Sequence, residues 1–259
     1  FLYLDIKEDN LFKLLDDLTF MKDQVVLIAG ASGGIGSACA RLFGKAGAKV
    51  VLAARNVAKA EEIAKEINGN GGDAYVSYLD VTDISSVTAL VNETAKELGR
   101  IDVLINAFGI GIIKPLLDIN PNDAKKVFDV NVYGTFLLTQ SVMRYMETAK
   151  KGTIVMYPGT MGKFVMKGSS VYSAAKHALV GFTKGLVEEN KRNSIRFSMI
   201  YAGGVNTPFW DDPNVDMKVQ KEKMLTVDEV AKATYYAVSM PIGAALNEIV
   251  LQPESHQLV

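Results

Sequence analysis

Tyr172 and Lys176 lie four residues apart in the segment YSAAK, within a stretch of helical periodicity. A phenol moves protons to and from a reacting oxygen, but with a pKa of about 10 it does so poorly at neutral pH unless its anion is favoured. An ammonium one helical turn away favours that anion. The pair therefore indicates proton transfer to a small molecule; the structural alternative is an ordinary surface pair at the same spacing.

Alternating strands and helices must position this pair. Seven segments from Asp23 onward are short, β-rich and almost continuously apolar, as is typical of strands buried on both faces. They are QVVLIAG, AKVVLAA, DAYVSYL, IDVLINA, GTIVMYP, SIRFSMI and NEIVLQ. Stretches of helical periodicity separate them. We therefore predict right-handed crossovers and a Rossmann-like, doubly wound parallel sheet with helices on both faces.

The predicted helices include two long ones, over 122–150 and 170–193. Residues 202–225 are the least regular segment, and a loop of this length in a compact domain is usually a lid or a binding element. We predict one domain over residues 23–259, preceded by an N-terminal extension over 1–22. Leucines at helical spacing in the extension predict a short helix that caps the domain, with a partner-binding arm as the alternative.

The composition favours a protein that works on small molecules. The chain has 259 residues, 49% hydrophobic and 22% charged, enough for one substantial core. A formal net charge of −1 gives no basic field for nucleic acid or an anionic membrane, and no apolar run approaches the ~18 residues of a membrane span. The single cysteine, Cys39, favours a core position in a reducing, cytoplasmic setting. Without a Cys/His cluster, we predict no metal site.

A glycine-rich turn follows the first strand, in LIAGASGGIG. Glycine allows a tight turn and close approach to a ligand, and the following helix offers N–H groups and a positive dipole end to a pyrophosphate. We therefore predict dinucleotide contacts from Gly30, Ser32, Gly33, Gly34, Ile35 and Gly36. A purely structural turn is the alternative.

The second strand ends at Ala54, and Arg55 follows it. A carboxylate at this place would accept hydrogen bonds from the ribose hydroxyls of NAD and repel a 2′-phosphate. A small residue followed by a guanidinium suits phosphate oxygens instead. The sequence thus predicts NADP(H) rather than NAD(H), unless Arg55 is a solvated surface residue.

Two further strand ends predict contacts with the rest of the dinucleotide. After the third strand, Asp80 offers an acceptor to the adenine amino group and Val81 a backbone contact, although Asp80 equally suits a helix cap. After the fourth strand, we expect Asn106 and Gly109 to line the ribose side. Ligands in doubly wound sheets bind at these carboxyl ends.

In their order and spacing, these motifs resemble the short-chain dehydrogenase/reductase family from about Asp23 to Pro253. The family's TGxxxGIG resembles AGASGGIG, its NNAG resembles NAFG, and its helix asparagine matches Asn131 in VNVYGTF. Its YxxxK matches YSAAK, and its PGxVxT resembles AGGVNT, in which Ala202 replaces the proline.

The resemblance implies a role for each matched residue. Tyr172 would be the acid/base, Lys176 would tune the phenol and hold the nicotinamide ribose, and Asn131 would anchor a water between the lysine and solvent. Thr207 and the backbone at Val205 would hold the carboxamide. The two long predicted helices match the family's pairing surfaces, so a homodimer or homotetramer is implied.

One catalytic position departs from the family. Its serine lies thirteen residues before the tyrosine, and that place is Gly159 in MYPGTMG. Thr160 is the nearby aliphatic hydroxyl, and a Pro-Gly turn allows its side chain or a backbone N–H to face the reacting oxygen. Losing one such donor costs on the order of 10² to 10³ in rate. Gly159 thus predicts a slower enzyme rather than an inactive one, with Thr160 as the candidate replacement.

Apolar residues flank the predicted pocket and indicate a small, partly apolar substrate, although core or lid packing explains them equally well. They are Phe108, Met161, Phe164, Met166, Phe209 and Trp210. Lys163 and Lys167 are either partners of an acidic substrate group or solvated loop lysines.

Two functions follow from these residues. The first is an NADP(H)-dependent carbonyl reductase or alcohol dehydrogenase that acts on CH–OH groups. The second is a nucleotide-binding sensor or subunit whose catalysis has decayed, which Gly159, Ala107 and Ala202 motivate.

Overall fold

The structure is a computed structural model that describes residues 21–241 and 243–257. Within these residues, seven parallel strands form one sheet in the order β3-β2-β1-β4-β5-β6-β7. The strands are β1 Val25–Ala29, β2 Lys49–Ala54, β3 Asp73–Tyr78, β4 Val103–Asn106, β5 Gly152–Met156, β6 Ile195–Ala202 and β7 Glu248–Leu251. The predicted doubly wound parallel sheet is confirmed. The helix predicted in the N-terminal extension lies outside the described residues.

Helices cover both faces of the sheet. They are α1 Gly34–Lys45, α2 Val57–Gly69, α3 Ile84–Leu98, α4 Pro121–Phe128, α5 Thr135–Ala149, α6 Ser170–Glu189 and α7 Val227–Val238. None of these helices is long and apolar enough to cross a membrane. In β1, Val26 and Ile28 pack toward α1, α2 and α7, whereas Val25 and Leu27 pack toward α3, α5 and α6. This two-sided burial explains why the strand segments are almost continuously apolar.

The strand order changes direction between β1 and β4. Strands β1, β2 and β3 run to one side of this point, and β4 to β7 run to the other. The register pairs Ala29 with both Ala53 and Asn106, and Asn106 with Met156, so the central strands end level with one another. The loops after these ends leave the crevice in which doubly wound sheets bind their ligands.

The region predicted as one helix over 122–150 is divided in the structure. Helix α4 begins at Pro121, whose fixed φ suits a first helical turn, and the side chain of Asn120 caps it. A π-helical segment, Asp129–Gly134, then joins α4 to α5. Short π segments inside helices occur often at functional sites. This one carries Asn131.

Two isolated bridges hold the irregular segment 202–225, one to a neighbouring loop and one within the segment itself. Val215 pairs with Ile113 of the loop after β4, and Leu225 pairs with Val205. Side chains of the segment line the cavity at the carboxyl ends of the strands. The segment thus lies at the cavity, and its role as a lid or a binding element stays a prediction.

Candidate active site

A cavity of about 940 Å³ lies at the carboxyl ends of the strands. The predicted site residues that line it are Ser32, Gly33, Gly34, Ile35, Gly109, Thr160, Tyr172, Lys176, Val205 and Thr207. The other predicted site residues do not line it: Gly30, Gly36, Arg55, Asp80, Val81, Asn106 and Asn131. The fold therefore brings the two predicted halves of the site, the glycine turn and the Tyr172–Lys176 pair, to one cavity.

Two glycines of the turn have no room for a side chain. Gly30 has a φ of +84°, and a Cβ there would lie 2.7 Å from the backbone nitrogen of Phe108. A Cβ on Gly36 would lie 2.3 Å from the carbonyl oxygen of Gly30. Helix α1 starts with no side-chain cap at Gly33. The first N–H groups of the helix therefore have no capping acceptor, and they are available to bind an anion such as a pyrophosphate.

Arg55 and Asp80 follow neighbouring strands. The carboxylate of Asp80 accepts hydrogen bonds from the hydroxyl (2.7 Å) and the backbone N–H (2.9 Å) of Thr82. These two bonds, with a smaller contribution from the charge of Arg55, lower the pKa of Asp80. Asp83 caps α3, so the alternative reading of Asp80 as that cap is wrong.

Lys59 is a lining residue that the sequence analysis missed. It is exposed and lines the cavity with Ser32 and Gly33. None of the ion pairs within the described part of the chain involves it. The signal in the sequence was its position in the first turn of the helix that follows Arg55.

Asn106 and Val81 occupy buried positions behind the cavity. The side-chain nitrogen of Asn106 is 3.3 Å from the sulfur of Met156, and its side-chain oxygen has no hydrogen-bond partner among the described residues. Val81 packs against Gly134 of the π-helical segment. Gly109 lines the cavity and Asn106 does not, while their contacts with the ribose stay a prediction.

Lys176 is 6% exposed, so the alternative of a surface pair is wrong. Its Nζ donates a hydrogen bond to the carbonyl oxygen of Tyr157 (2.8 Å) and lies 5.6 Å from the centre of the Tyr172 ring. Burial lowers the pKa of Lys176 to about 8. Gly109 leaves space beside the ammonium, because a Cβ there would be 3.6 Å from Nζ.

Asn131 connects the π-helical segment to the loop after β4. Its side-chain oxygen accepts from the N–H of Ile110 (3.1 Å), and its side-chain nitrogen donates to the carbonyl of Ile110 (2.7 Å). A Cβ on the preceding Gly109 would be 2.7 Å from the same side-chain oxygen. Asn131 thus holds this loop close to Lys176, while the water implied by the resemblance stays a prediction.

Tyr172 lies on the first turn of α6, with its ring 5.5 Å from the ring of Phe209. Burial raises the pKa of Tyr172 well above its ordinary value. The pKa rises because loss of solvation outweighs the neighbouring ammonium. Burial thus opposes the effect of the lysine on the phenol, while the expectation that the lysine and a bound nicotinamide together favour the phenolate stays a prediction.

Gly159 and Thr160 form the turn at the place of the expected serine. Gly159 has φ +62° and ψ 178°, a combination that essentially only glycine adopts. Its N–H donates to the carbonyl of Ile200 (3.3 Å). Thr160 is 7% exposed and lines the cavity, and its hydroxyl makes no hydrogen bond to another described residue. An available donor thus lies in the cavity wall near Tyr172.

Most of the predicted apolar residues line the cavity: Phe108, Met161, Met166, Phe209 and Trp210. Phe164 does not. Lys163 pairs with Glu248 (2.5 Å) and lies over the ring of Tyr201, and Lys167 does not line the cavity. Neither lysine is therefore in place to bind an acidic substrate group.

Cys39 is buried in the core, 3.6 Å from the hydroxyl of Tyr157. Burial raises its pKa to about 11, so the thiol is unreactive at neutral pH. Its prediction as a core residue is confirmed.

A family model for short chain dehydrogenases matches residues 24–218. An uncharacterized oxidoreductase of Staphylococcus saprophyticus is 34% identical over 247 residues, covering 92% of this chain and 99% of the relative. An uncharacterized oxidoreductase of Staphylococcus aureus is 30% identical over 236 residues, covering 91% of this chain and 100% of the relative. The similarity thus spans almost the full length of both relatives.

Two solved structures share the fold. An alcohol dehydrogenase from the archaeon Thermococcus sibiricus, complexed with 5-hydroxy-NADP, has a TM-score of 0.83 and 25% identity, covering 91% of this chain and 99% of its own. A gluconate 5-dehydrogenase from Burkholderia cenocepacia, in complex with NADP and tartrate, has a TM-score of 0.81 and 27% identity, covering 92% of this chain and 96% of its own.

Proposed function

Because the chain belongs to the short-chain dehydrogenase family, we propose that it is an NADP(H)-dependent oxidoreductase that interconverts a carbonyl and an alcohol on a small, partly apolar substrate. One observation carries the proposal: a buried ammonium, Lys176, held on a backbone carbonyl beside the Tyr172 ring at the cavity wall. Burying a charge without a counter-charge destabilises a fold. Such a lysine therefore calls for a functional reason.

The cavity suits a dinucleotide along one side. The uncapped start of α1 would hold the pyrophosphate. Lys59, which lines the cavity, and Arg55, which follows β2, would hold a 2′-phosphate. Val205 and Thr207 would hold the carboxamide. When bound, NADP(H) supplies or accepts the hydride. Both solved structures named above are complexes with NADP or 5-hydroxy-NADP, which supports this choice over NAD(H).

Tyr172 moves the proton. In the direction of reduction, its O–H donates to the carbonyl oxygen as negative charge develops there. Because burial raises its pKa, the phenol carries its proton at neutral pH. The hydroxyl of Thr160 provides a second hydrogen bond to the same oxygen and replaces the serine of the family.

Lys176 supports Tyr172 after the proton has left. With a pKa of about 8, its amine is mostly an ammonium at pH 7 and stabilises the phenolate. An ammonium has three N–H donors, and the carbonyl of Tyr157 takes one of them. The others are available to the ribose hydroxyls of the cofactor.

The test is NADPH consumption with a panel of aldehydes and ketones, with NADH measured in parallel. Tyr172→Phe should lower the turnover of any substrate found by about 10³-fold, because general acid–base catalysis contributes on the order of 10² to 10⁴. NADPH binding should be preserved. Tyr75→Phe, a matched change at an exposed edge strand, should leave turnover unchanged. Undiminished turnover in Tyr172→Phe would rule out this role.

A nucleotide-binding sensor or subunit is the second candidate. The glycine at 159 favours it, since the family's serine is missing. The backbone of Gly159 argues the other way, because its φ and ψ are built for glycine rather than left over from serine. A protein that binds NADPH tightly and consumes it with no member of the panel would support the sensor.

We also propose that the protein assembles as a cytoplasmic homodimer or homotetramer through the face of α5 and α6. Tyr133 and Phe136 are 47% and 38% exposed, and their rings stack at 6.1 Å. Phe136 also contacts Phe182 of α6 at 6.2 Å. Exposed aromatic clusters are typical of interfaces. Phe136→Lys should lower the mass measured by light scattering, and an unchanged mass would contradict this assembly.

A further inference from the structure

The part of the cavity beside Tyr172 has apolar walls. We call it the apolar wing; it is lined by Gly111, Ile113, Met161, Met166, Phe209 and Trp210. Phe209 lies against the Tyr172 ring at 5.5 Å and against Trp210 at 5.2 Å. The wing therefore surrounds the group on which the reaction depends.

Polar groups near the wing are already bonded within the protein. The indole N–H of Trp210 donates to the carbonyl of Val205 (2.8 Å). On the loop after β4, Lys114 donates to the side-chain oxygen of Asn214 (2.9 Å). Lys163, on the loop that carries Met161 and Met166, pairs with Glu248. The indole N–H is therefore already taken, and neither Lys114 nor Lys163 is among the residues that line the cavity.

Cations elsewhere around the cavity do not change this picture. Lys218 and Lys223 line it from the segment after Val215, and both are exposed, so water and salt screen their charge. Lys176 is engaged by Tyr157 and is assigned to the cofactor side. Among the described residues, Thr160 and Tyr172 supply the hydroxyls available to a carbonyl oxygen there.

The walls of the wing are held in place by backbone contacts. Ile113 donates its N–H to the carbonyl of Asn214 (2.7 Å) and accepts from the N–H of Asp216 (3.0 Å). Lys114 donates its N–H to the carbonyl of Gly168 (2.9 Å). Three loops separated in sequence are thus joined, and these three backbone N–H groups are already taken and cannot bind a carboxylate.

We propose that the apolar wing binds a neutral apolar group, aromatic or branched alkyl, attached to the reacting carbonyl, and that it excludes carboxylates. This inference rests on the proposed function for the identity of the reacting group. A carboxylate in the wing would lose its water and gain no cation, which is a large penalty. An aromatic ring gains contacts with Phe209 and with the methionine sulfurs.

A matched pair of ligands tests whether the wing excludes carboxylates. The two are methyl 4-formylbenzoate and 4-formylbenzoate, which differ in one methyl group and one negative charge. Trp210 is the only tryptophan in the chain, so its fluorescence reports on the wing directly. We expect the neutral ester to bind at least about 100-fold more tightly than the acid. Equal or tighter binding of the acid, or no fluorescence response to either ligand, would overturn the inference.

A variant pair sharpens the test. Met166→Lys adds a cation to the wing and should shift the preference toward the acid by at least tenfold. Ile84→Lys, a change at an exposed position at the start of α3, should not. Equal shifts in both variants would contradict a charge-excluding wing. The fluorescence readout needs no turnover, so failure of NADPH binding or consumption would count against the proposed function alone.

Discussion

The two ends of the cavity are built in different ways. At the phosphate end, the turn from Gly30 to Gly36 comes from consecutive residues, and its geometry follows from glycine and the start of a helix. At the reaction end, Tyr172 shares the cavity wall with residues from the loops after β4, β5 and β6. The first end is determined largely by local backbone sterics, with one distant contact between Gly30 and the backbone of Phe108. The second depends throughout on which distant segments pack together. Substitutions at the two ends should therefore have different effects on stability, cofactor binding and turnover.

The largest effect is expected at the phosphate end. In Gly36→Ala, the new Cβ would lie 2.3 Å from the carbonyl oxygen of Gly30, a backbone atom that cannot move aside cheaply. We expect a loss of about 3 kcal/mol in the free energy of unfolding and at least a 100-fold weaker NADPH affinity. Urea denaturation and fluorescence titration measure both.

Gly69→Ala provides the matched control. Gly69 has nothing within 4 Å of its Cβ position and lies at the end of α2. The same substitution there should leave cofactor binding unchanged. Similar losses in the two variants would show that the turn is not specially constrained.

Gly159→Ser tests the reaction end. Residues other than glycine at this φ and ψ cost about 1 to 3 kcal/mol, so the variant should be less stable by that amount and turn over more slowly by about tenfold. Gly159→Ala separates backbone strain from the added hydroxyl. A tenfold gain in turnover with serine would instead favour a decayed ancestor.

Burial at the reaction end also predicts a pH dependence. The pKa of Lys176 is about 8 in the folded chain and about 10.5 in the unfolded chain. Between these values the unfolded state binds more protons, so stability rises with pH through this window, by about 1 to 3 kcal/mol. Urea denaturation at pH 7, 8, 9 and 10 measures the rise.

Lys176→Met should remove that rise, because its side chain does not titrate. Lys65→Met, at an exposed position of α2, should retain it. If the stability of Lys176→Met rises with pH as steeply as that of the unmodified protein, burial of Lys176 is not the cause of the rise.

The smallest effects on cofactor binding are expected from the exposed cations of the phosphate end. Arg55→Ala and Lys59→Ala should each weaken NADPH binding by about tenfold and NADH binding by less than twofold, because exposed charges are screened. Lys65→Ala is the control for an exposed lysine on the same helix. Equal losses for both nicotinamides would contradict recognition of the 2′-phosphate.

Much of this architecture could be predicted from residue patterns. The continuous apolar runs predicted seven parallel strands because both faces of the sheet are covered. The glycine turn was predictable because the positive φ of Gly30 and the close approach of Gly36 to Gly30 involve residues near each other in the sequence. Lys59 was missed because its surface position looks like that of any solvated lysine on a helix. The helix over 122–150 was predicted as continuous, because the apolar pattern of the sequence gives no sign of the extra residue in a π turn.

The sequence by itself determined the sheet, the glycine turn and the pairing of Tyr172 with Lys176, because each follows from short-range periodicity and steric rules. Tertiary structure decided the rest. It buries Lys176 on the carbonyl of Tyr157, uses Asn131 to hold Ile110, and turns Lys163 away from the cavity toward Glu248. These outcomes depend on solvation and on contacts between residues far apart in the chain, and no local pattern records them.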